Sequence, residues 1–353
     1  MVWKLLKQLY GCRGAPRAWQ NHLVTILLEL GFIRLKTNPT MFYSADRCIL
    51  LDVHVDDFHA TGPAEQLEIV FNKLKEHLLI KVSPVYHVGS TYEYLRATHV
   101  RTEQGIYVVP STRYVDDCQK LLNLETCSTC PTPGRQVTVQ ERPEHSIALD
   151  DERAATYRSC VGKLIYHSQL RYDIQWCVGD LCREIKSPSE GAWKSLERLV
   201  RYCSGTKDLA QFFSAEGHMH YIEVYVDASW ASCVHTRKSV SSGVIRLGGS
   251  TVFTWSRSQS CVAQSSGESE FYAIVEGINE GIGLRRILEE IGMLLPVRVL
   301  TDSTAGKAVC HRLGAGQKLR HVEVKWFHVQ DLVQKEEVTV YKVDGISNCA
   351  DLG

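Results

Sequence analysis

The stretch SSGVIRLGGSTVFTWS, residues 241–256, contains two β-type runs that meet at Gly248 and Gly249. Two glycines between such runs indicate a two-residue hairpin turn, because these turns need positive φ angles. A third run of this type, YIEVYVD, occupies residues 221–227 just upstream. The sequence therefore predicts three short strands that begin a β-sheet.

The residues after the hairpin predict further elements of the same sheet. Residues 268–291 carry apolar side chains at helical spacing, and PVRVLTD is typical of a buried strand. Residues 303–312 and 321–334 predict helices, and EEVTVYKVD predicts a last strand. The order βββ-α-β-α-α-β predicts a mixed sheet with flanking helices over about 130 residues.

The residues before position 218 alternate between strands and helices. The breaker-rich stretch CSTCPTPGRQVTVQERPEHS has three prolines and no periodicity, which is typical of a loop or linker. The other patterns are a helix over residues 18–30, strands in TMFYS and CILLDVHV, a helix in EQLEIVFNKLKEHL, and helices over residues 154–203 with a break at Ser187 and Pro188.

Composition restricts the class of protein only loosely. The chain has 353 residues, 44% hydrophobic residues and a formal net charge of zero, as expected for a folded soluble protein of two or three domains. It has no apolar run of the roughly 18–20 residues that span a bilayer. The 13 scattered cysteines are typical of a reducing compartment. We therefore expect an intracellular protein that is not secreted and has no membrane partner.

Two aspartate pairs follow a valine. In LLDVHVDDFHATG, Asp56 and Asp57 lie at a predicted turn between strands, which would fix the carboxylates and leave them accessible to a metal ion. In RYVDDCQKLL, Asp116 and Asp117 precede an apolar-periodic helix, where acids commonly cap the helix and meet its dipole. The first pair is therefore the candidate metal site, and the second pair is predicted to be structural.

A second set of carboxylates follows from the predicted sheet. Asp227 and Asp302 each end a strand, and ligands of α/β sheets collect beyond the carboxyl ends of strands. Glu268 and Glu270 both begin the long helix, and spacing alone does not choose between them. Asp351 is a further acid, in SNCADLG. Three or four such acids could bind two Mg²⁺ ions, which prefer carboxylate, phosphate and water ligands.

Several long blocks resemble copia-type LTR-retrotransposon Pol polyproteins, in the family's order. KLLKQLYGCRGAPRAWQ is similar to K-L-x-K-A-L-Y-G-L-K-Q-A-P-R-A-W, and ILLDVHVDDFHATG to the L-Y-V-D-D segment of the reverse transcriptase. YRSCVGKLIYHSQLRYDI and WKSLERLVRYCSGTKDL resemble the family's connection. SSGESEFYA, LTDSTAGKAV and NCADLG resemble segments S-S-T-E-A-E-Y, C-D-N-Q-S-A and Q-L-A-D of its ribonuclease H domain.

This resemblance implies a fold class and three domains. The fold class is α/β and α+β, with a partial reverse-transcriptase palm, thumb and connection followed by a ribonuclease H-like mixed five-stranded sheet with flanking helices. The implied domains are a partial palm and thumb at residues 1–125, a linker and helical connection at 126–218, and a ribonuclease H-like domain at 219–353.

The resemblance also implies a reaction, which is hydrolysis of the RNA strand of an RNA–DNA hybrid by two Mg²⁺ ions, with Mn²⁺ as a substitute. The implied nucleic-acid partners are RNA–DNA hybrid and template-primer. The implied protein partners are other Pol and Gag products, and the implied location is a cytoplasmic particle or the nucleus. Position by position, the metal-binding catalytic carboxylates of the ribonuclease H domain are Asp227, Glu270, Asp302 and Asp351, which selects Glu270 over Glu268.

The reverse-transcriptase half departs from the family pattern. His54 replaces the tyrosine before Val-Asp-Asp. The family's first catalytic aspartate lies upstream of the L-Y-G block, where this chain begins. Asp56 and Asp57 fall on the catalytic pair, with Asp56 as a metal ligand, and Asp52 on the same strand cannot replace the missing acid. We therefore expect DNA polymerisation to be lost in this chain by itself.

An alternative hypothesis is a catalytically dead retroelement remnant that binds nucleic acid without cleaving it. Two basic stretches, residues 1–36 and 311–325, could line a phosphate backbone, although charge runs are more often solvated surfaces. The candidate nucleic-acid contacts in these stretches are Arg13, Arg17, Lys318, Arg320 and His321.

Overall fold

The computed structural model describes residues 9, 11–135, 144, 146–233, 236–316 and 319–351. The chain forms two compact units, one of residues 1–87 with 283–294 and one of residues 88–282 with 295–353. None of the described helices is both long enough and apolar enough to cross a membrane.

The first unit contains a four-stranded antiparallel sheet with strand order β1-β2-β3-β4. Its core packs Leu27 and Leu74 of the two helices against Phe42 and Leu51 of the sheet. Pro16 in the first turn of the first helix suits a helix start, because its fixed φ is helical and it lacks an N–H. The elements are α1 (Ala15–Glu29), β1 (Ile33–Arg34), β2 (Met41–Ser44), β3 (Ile49–His54), β4 (Asp57–Thr61) and α2 (Ala64–His77).

The β3–β4 hairpin carries the first aspartate pair. His54 pairs with Asp57 across the hairpin, so Val55 and Asp56 form a two-residue turn. Val55 has φ of +60°, a left-handed conformation that a β-branched residue rarely adopts. The indole Nε1 of Trp19 on α1 donates a 2.8 Å hydrogen bond to the carbonyl oxygen of Val55. The predicted turn is therefore present, and α1 holds it in place.

The second unit begins with a four-stranded antiparallel sheet and a helical bundle. Three strands are consecutive in the chain, and the fourth, β8, pairs with β7 from beyond the bundle. This sheet was not predicted from the sequence, because its strands are short and come from two distant stretches. The elements are β5 (Thr91–Tyr94), β6 (Ala97–Arg101), β7 (Gly105–Pro110), α3 (Arg113–Leu121), α4 (Asp151–His167), α5 (Gln175–Arg183), α6 (Glu190–Gly205) and β8 (Gln211–Ser214).

The second aspartate pair lies inside α3 rather than before it. The predicted N-cap is wrong, because Thr112 occupies that position and α3 begins at Arg113, but Asp116 is an acid of the first turn, as predicted. Asp116 instead accepts hydrogen bonds of 2.7 Å from Lys207 and 3.1 Å from the hydroxyl of Thr112. Asp117 lies 3.4 Å from the ammonium of Lys163 on α4. Both carboxylates therefore tie α3 to its neighbours in the bundle.

The predicted loop between α3 and α4 lies only partly among the described residues. Residues 136–143 and 145 fall outside them. In the described part of residues 127–146 there is no α-helix and no strand, as the three prolines predict.

A buried arginine joins the helices of the bundle. Arg171 is 3% exposed, and its guanidinium donates to both carboxylate oxygens of Asp173 at 2.9 and 2.7 Å. It also donates to the carbonyl and hydroxyl oxygens of Thr206, each at 2.8 Å. The hydroxyl of Tyr202 donates a 2.7 Å bond to Asp173. The network fixes the turn between α4 and α5 against the end of α6.

The remainder of the second unit is a mixed five-stranded sheet of order β11-β10-β9-β12-β13. The first three strands are antiparallel, and β12 runs parallel to β9 and β13. The predicted hairpin at Gly248 and Gly249 is confirmed, with φ of +56° and +80°. The elements are β9 (Ile222–Ser229), β10 (Val240–Leu247), β11 (Ser250–Ser258), α7 (Ser266–Glu290), β12 (Val297–Thr301), α8 (Thr304–His311), α9 (His328–Gln334) and β13 (Val338–Lys342).

The long helix α7 packs closely on the sheet. The inward side chains of β9 include Val224 and Val226, both fully buried. A Cβ atom at Gly277 would lie 2.4 Å from Val226, and one at Gly281 would lie 2.9 Å from Val224. The two glycines therefore set the distance of α7 from β9. The helix predicted over residues 321–334 is shorter than expected, since a 3₁₀ turn at Val324–Phe327 precedes α9.

Candidate metal centre

Three carboxylates meet at one end of the five-stranded sheet. β9 and β12 are parallel neighbours with Leu300 beside Tyr225, and the same register continued by two residues brings Asp302 level with Asp227. Glu270 reaches the same place from the first turns of α7. One ligand oxygen from each of the three acids lies within 4.8 Å of the others. The fold thus brings together acids from three separate segments, as a metal site requires.

Two carboxylates of this cluster, Asp227 and Glu270, have raised pKa values. Burial, followed by the charges of Asp351 and Asp302, raises the pKa of Asp227 from 3.8 to about 6. Burial and the charges of Asp227 and Asp302 raise the pKa of Glu270 from 4.5 to about 8. Each raised pKa reflects partly buried negative charge with too little compensation.

A divalent cation fits this arrangement of acids. The Oε2 atom of Glu270 is buried without a hydrogen-bond partner among the described residues. Buried polar atoms are normally paired, so an unpaired carboxylate oxygen aimed at other carboxylates is a natural metal ligand. The donors are all carboxylate oxygens, which are the ligands that Mg²⁺ and Mn²⁺ prefer. Asp227, Glu270 and Asp302 could therefore hold such an ion.

Asp227→Asn should stabilise the metal-free protein at alkaline pH. Below about pH 4 the carboxyl groups of Asp227 and Glu270 are protonated in both the folded and the unfolded state, so the substitution has no electrostatic benefit there. As pH rises through the raised pKa values of about 6 and about 8, the unfolded state loses protons first and the native state loses stability. We expect a gain of about 1–2 kcal/mol at pH 8.

Urea unfolding in EDTA, at about pH 4.5 and about pH 8, measures this effect. Asp208→Asn, at an exposed position away from the cluster, is the matched control and should show no such pH-dependent gain. An equal effect of Asp227→Asn at both pH values would contradict the repulsion between these carboxylates.

Asp351 lies at the edge of the cluster. It is exposed, and it is not one of the three acids that share the 4.8 Å group. Its charge nevertheless contributes to the raised pKa of Asp227, second only to burial. The fourth carboxylate implied by the family resemblance is therefore near the other three, but it faces solvent.

Glu268 points to a different environment from Glu270. It is 2% exposed and accepts hydrogen bonds from the main-chain N–H of Gln264 at 3.0 Å and the hydroxyl of Tyr272 at 2.9 Å. Its Oε2 also lies 3.0 Å from Nε2 of His321. The structure thus groups Glu270, and not Glu268, with Asp227 and Asp302. The contact between Glu268 and His321 was missed from the sequence, because 53 residues separate them.

The other predicted nucleic-acid contacts lie on exposed surfaces. Arg13 and Arg17 are exposed in the first unit, and Arg320 is exposed in the second. The side chain of His321 is 37% exposed and turns one ring nitrogen towards Glu268. Lys318 lies outside the described residues.

The aspartate pair of the β3–β4 hairpin is the other candidate metal site. Asp56 and Asp57 are exposed, and no group of three metal-ligating side chains includes them in the part of the chain that the structure describes. Asp52, on β3, accepts a 3.1 Å hydrogen bond from the hydroxyl of Thr40. A pair of exposed carboxylates without a partner from another segment is a weak metal site.

Comparison with known proteins shows what the chain is similar to. Residues 1–136 match the family model described as reverse transcriptase (RNA-dependent DNA polymerase). The retrovirus-related Pol polyprotein from transposon RE2 of Arabidopsis thaliana is 27% identical over 356 residues, which cover 99% of this chain. Along almost its whole length, the chain is thus similar to a retrotransposon Pol polyprotein. The Pol polyprotein from transposon TNT 1-94 of Nicotiana tabacum is 25% identical over 362 residues and covers all of it.

The chain spans about a quarter of the length of these two polyproteins, namely 24% and 27%. Among solved structures, the match to the foamy viral protease-reverse transcriptase in complex with RNA/DNA hybrid covers 98% of this chain and 40% of that chain. The TM-score is 0.56 at 13% sequence identity, so the likeness is one of fold. The expected fold class, reverse-transcriptase elements followed by a ribonuclease H-like sheet, is confirmed.

Proposed function

We propose that this chain is a retroelement reverse transcriptase/ribonuclease H fragment that hydrolyses the RNA strand of RNA–DNA hybrids. The observation that carries the proposal is the convergence of Asp227, Glu270 and Asp302 from three segments to within 4.8 Å. Relatedness to Pol polyproteins supports a nucleic-acid substrate. A shared fold with a reverse transcriptase solved on an RNA/DNA hybrid supports hybrid and template-primer as partners.

In this proposal the cluster holds two Mg²⁺ ions, with Mn²⁺ as a substitute. When bound, such a pair of ions activates a water for in-line attack and stabilises the leaving 3′ oxygen. Asp227, Glu270 and Asp302 would hold the ions, and Asp351 would supply a fourth carboxylate from the solvent side. Because Asp227 and Glu270 hold protons up to about pH 6 and about pH 8, metal binding releases protons and should tighten across that range.

DNA polymerisation is not part of the activity that we propose for this chain. We propose that residues 1–125 are a partial palm and thumb, residues 126–218 a linker and connection, and residues 219–353 the hydrolase domain. Asp56 and Asp57 have no third metal-ligating partner among the described residues, so we expect no RNA-directed DNA polymerisation by this chain alone.

The proposal is tested with one RNA sequence presented in three forms, as an RNA–DNA hybrid, as an RNA duplex and as a single strand. With Mg²⁺ or Mn²⁺, we expect cleavage of the labelled RNA in the hybrid and none in the other two forms. EDTA should abolish it. Primer extension on the same hybrid should give no product. Binding of the hybrid without cleavage in either metal would reject the hydrolase and favour a catalytically inactive nucleic-acid-binding protein.

A further inference from the structure

The segment that carries Asp351 is attached to the sheet by two buried contacts, one to β9 and one to β10. The side-chain amide of Asn348 donates a 3.0 Å hydrogen bond to the carbonyl oxygen of Val226. Its carbonyl oxygen accepts a 3.2 Å bond from the main-chain N–H of Ala350. Asn348 and Ala350 are only 3% and 0% exposed. Asn348 therefore fixes the chain on either side of residue 349.

Ser242 on β10 supplies the second contact. Its hydroxyl donates a 2.8 Å hydrogen bond to the carbonyl oxygen of Ala350. The hydroxyl oxygen of Ser242 also lies 3.5 Å from the carbonyl oxygen of Asp227, the residue that Ser242 faces across the β9–β10 ladder. The two attachment points thus lie at Val226 and opposite Asp227. The chain before Asp351 is bound to β9, which presents the first carboxylate of the cluster, and to the neighbouring strand β10.

This attachment determines where the carboxylate of Asp351 can be. Asp351 directly follows the buried Ala350, and its own N–H donates a 3.1 Å hydrogen bond to the carbonyl oxygen of Asn348. The main chain is therefore ordered up to the exposed side chain. An acid on an ordered backbone does not lose main-chain entropy again when it meets a cation, whereas one on a loose segment does. Because the carbonyl oxygen of Ala350 accepts from Ser242, which faces Asp227 across the β9–β10 ladder, residue 351 begins close to the end of β9.

We propose that Ser242 and Asn348 form a latch that holds Asp351 beside Asp227, so that the cluster binds its divalent ion with four carboxylates rather than three. Ser242 and Asn348 are positioning residues in this proposal, because neither is placed to touch the ion. The proposal rests on the proposed function, since it assigns a structural support to the same metal site.

The test is Mn²⁺ binding to the full chain without nucleic acid, measured by electron paramagnetic resonance of the free ion. Ser242→Ala should raise the dissociation constant for Mn²⁺ about 10-fold, the lower end of the range for residues that support metal ligands. Ser242→Thr keeps the hydroxyl and should restore most of the affinity. Ser241→Ala is the matched control, because Ser241 is also buried on β10 but accepts its hydrogen bond from Gln259.

The assignment to Asp351 is tested by a double-mutant cycle. Asp351→Asn should weaken Mn²⁺ binding, and adding Ser242→Ala to it should cause little further loss, because the latch would then have no carboxylate to position. An unchanged Mn²⁺ affinity in Ser242→Ala, or an equal loss in both backgrounds, would overturn the latch. Wild-type protein that binds Mn²⁺ but does not cleave hybrid would reject the hydrolase and leave the latch standing. Wild-type protein that binds no Mn²⁺ would overturn both.

Discussion

Asp302→Asn should reduce cleavage of the RNA strand in a hybrid by more than about 100-fold, since even residues that only support metal ligands cost 10–100-fold when replaced. Asp302 directly follows β12 and shares the 4.8 Å carboxylate group with Asp227 and Glu270. An amide in its place keeps the shape but removes the negative charge that a divalent ion needs. Initial rates on a labelled hybrid at saturating Mg²⁺ measure the loss.

Glu268→Gln is the matched control for this substitution. Glu268 is an acid of the same site region, but its hydrogen bonds are to Gln264, Tyr272 and His321 rather than to the cluster. We expect its cleavage rate to stay within about 10-fold of wild type. Urea unfolding in EDTA should show that Asp302→Asn remains folded. Substantial cleavage by Asp302→Asn, or a larger loss in Glu268→Gln, would show that the reacting ions are held elsewhere.

Arg171→Met should lower the free energy of unfolding by about 3 kcal/mol, because removing one partner of a buried ion pair leaves the other without compensation. The guanidinium is 3% exposed, and it supplies four hydrogen bonds to Asp173 and Thr206. Methionine fills a similar volume but leaves the half-buried carboxylate of Asp173 with only the hydroxyl of Tyr202 as a described partner. The midpoint and slope of urea unfolding measure the change.

Arg153→Met controls for the loss of an arginine as such. Arg153 also pairs with a carboxylate through two hydrogen bonds, on Glu190, but the side chains of this pair are 36% and 31% exposed. Exposed pairs contribute at most about 1 kcal/mol. If both variants lose the same stability, the burial of Arg171 has no special energetic effect. If Arg171→Met is neutral, the network of the bundle is replaceable by apolar packing.

Much of the fold follows from local patterns in the sequence. The glycine pair at Gly248 and Gly249, the alternating burial of β9 and the helical spacing of α7 each depend on neighbouring residues only, and the structure has all three. The position of Asp302 directly after β12 also follows from local pattern, whereas β9 continues two residues beyond Asp227. Their closeness follows from the parallel pairing of β9 with β12, which the sequence patterns did not specify.

Other features depend on contacts between distant residues. Asp116 and Asp117 were expected to cap a helix and meet its dipole, and Asp116 does lie in the first turn of α3. Their ion-pair partners, Lys207 and Lys163, come from distant parts of the chain. β8 pairs with β7 across the whole helical bundle, and no local signal marks that pairing.

By itself, the sequence determined the strands of the five-stranded sheet, its hairpin turn, the long helix and a set of candidate metal-binding acids. Local spacing left Glu268 and Glu270 equal and the family resemblance selected Glu270, but only the tertiary structure showed Glu270 beside Asp227 and Asp302, and what holds Asp351. Glu268 and Glu270 occupy the same helical turn, so their directions depend on how α7 rotates as it packs on β9 through Gly277 and Gly281. The contacts of Ser242 and Asn348 join residues more than 100 positions apart, and packing alone brings them together.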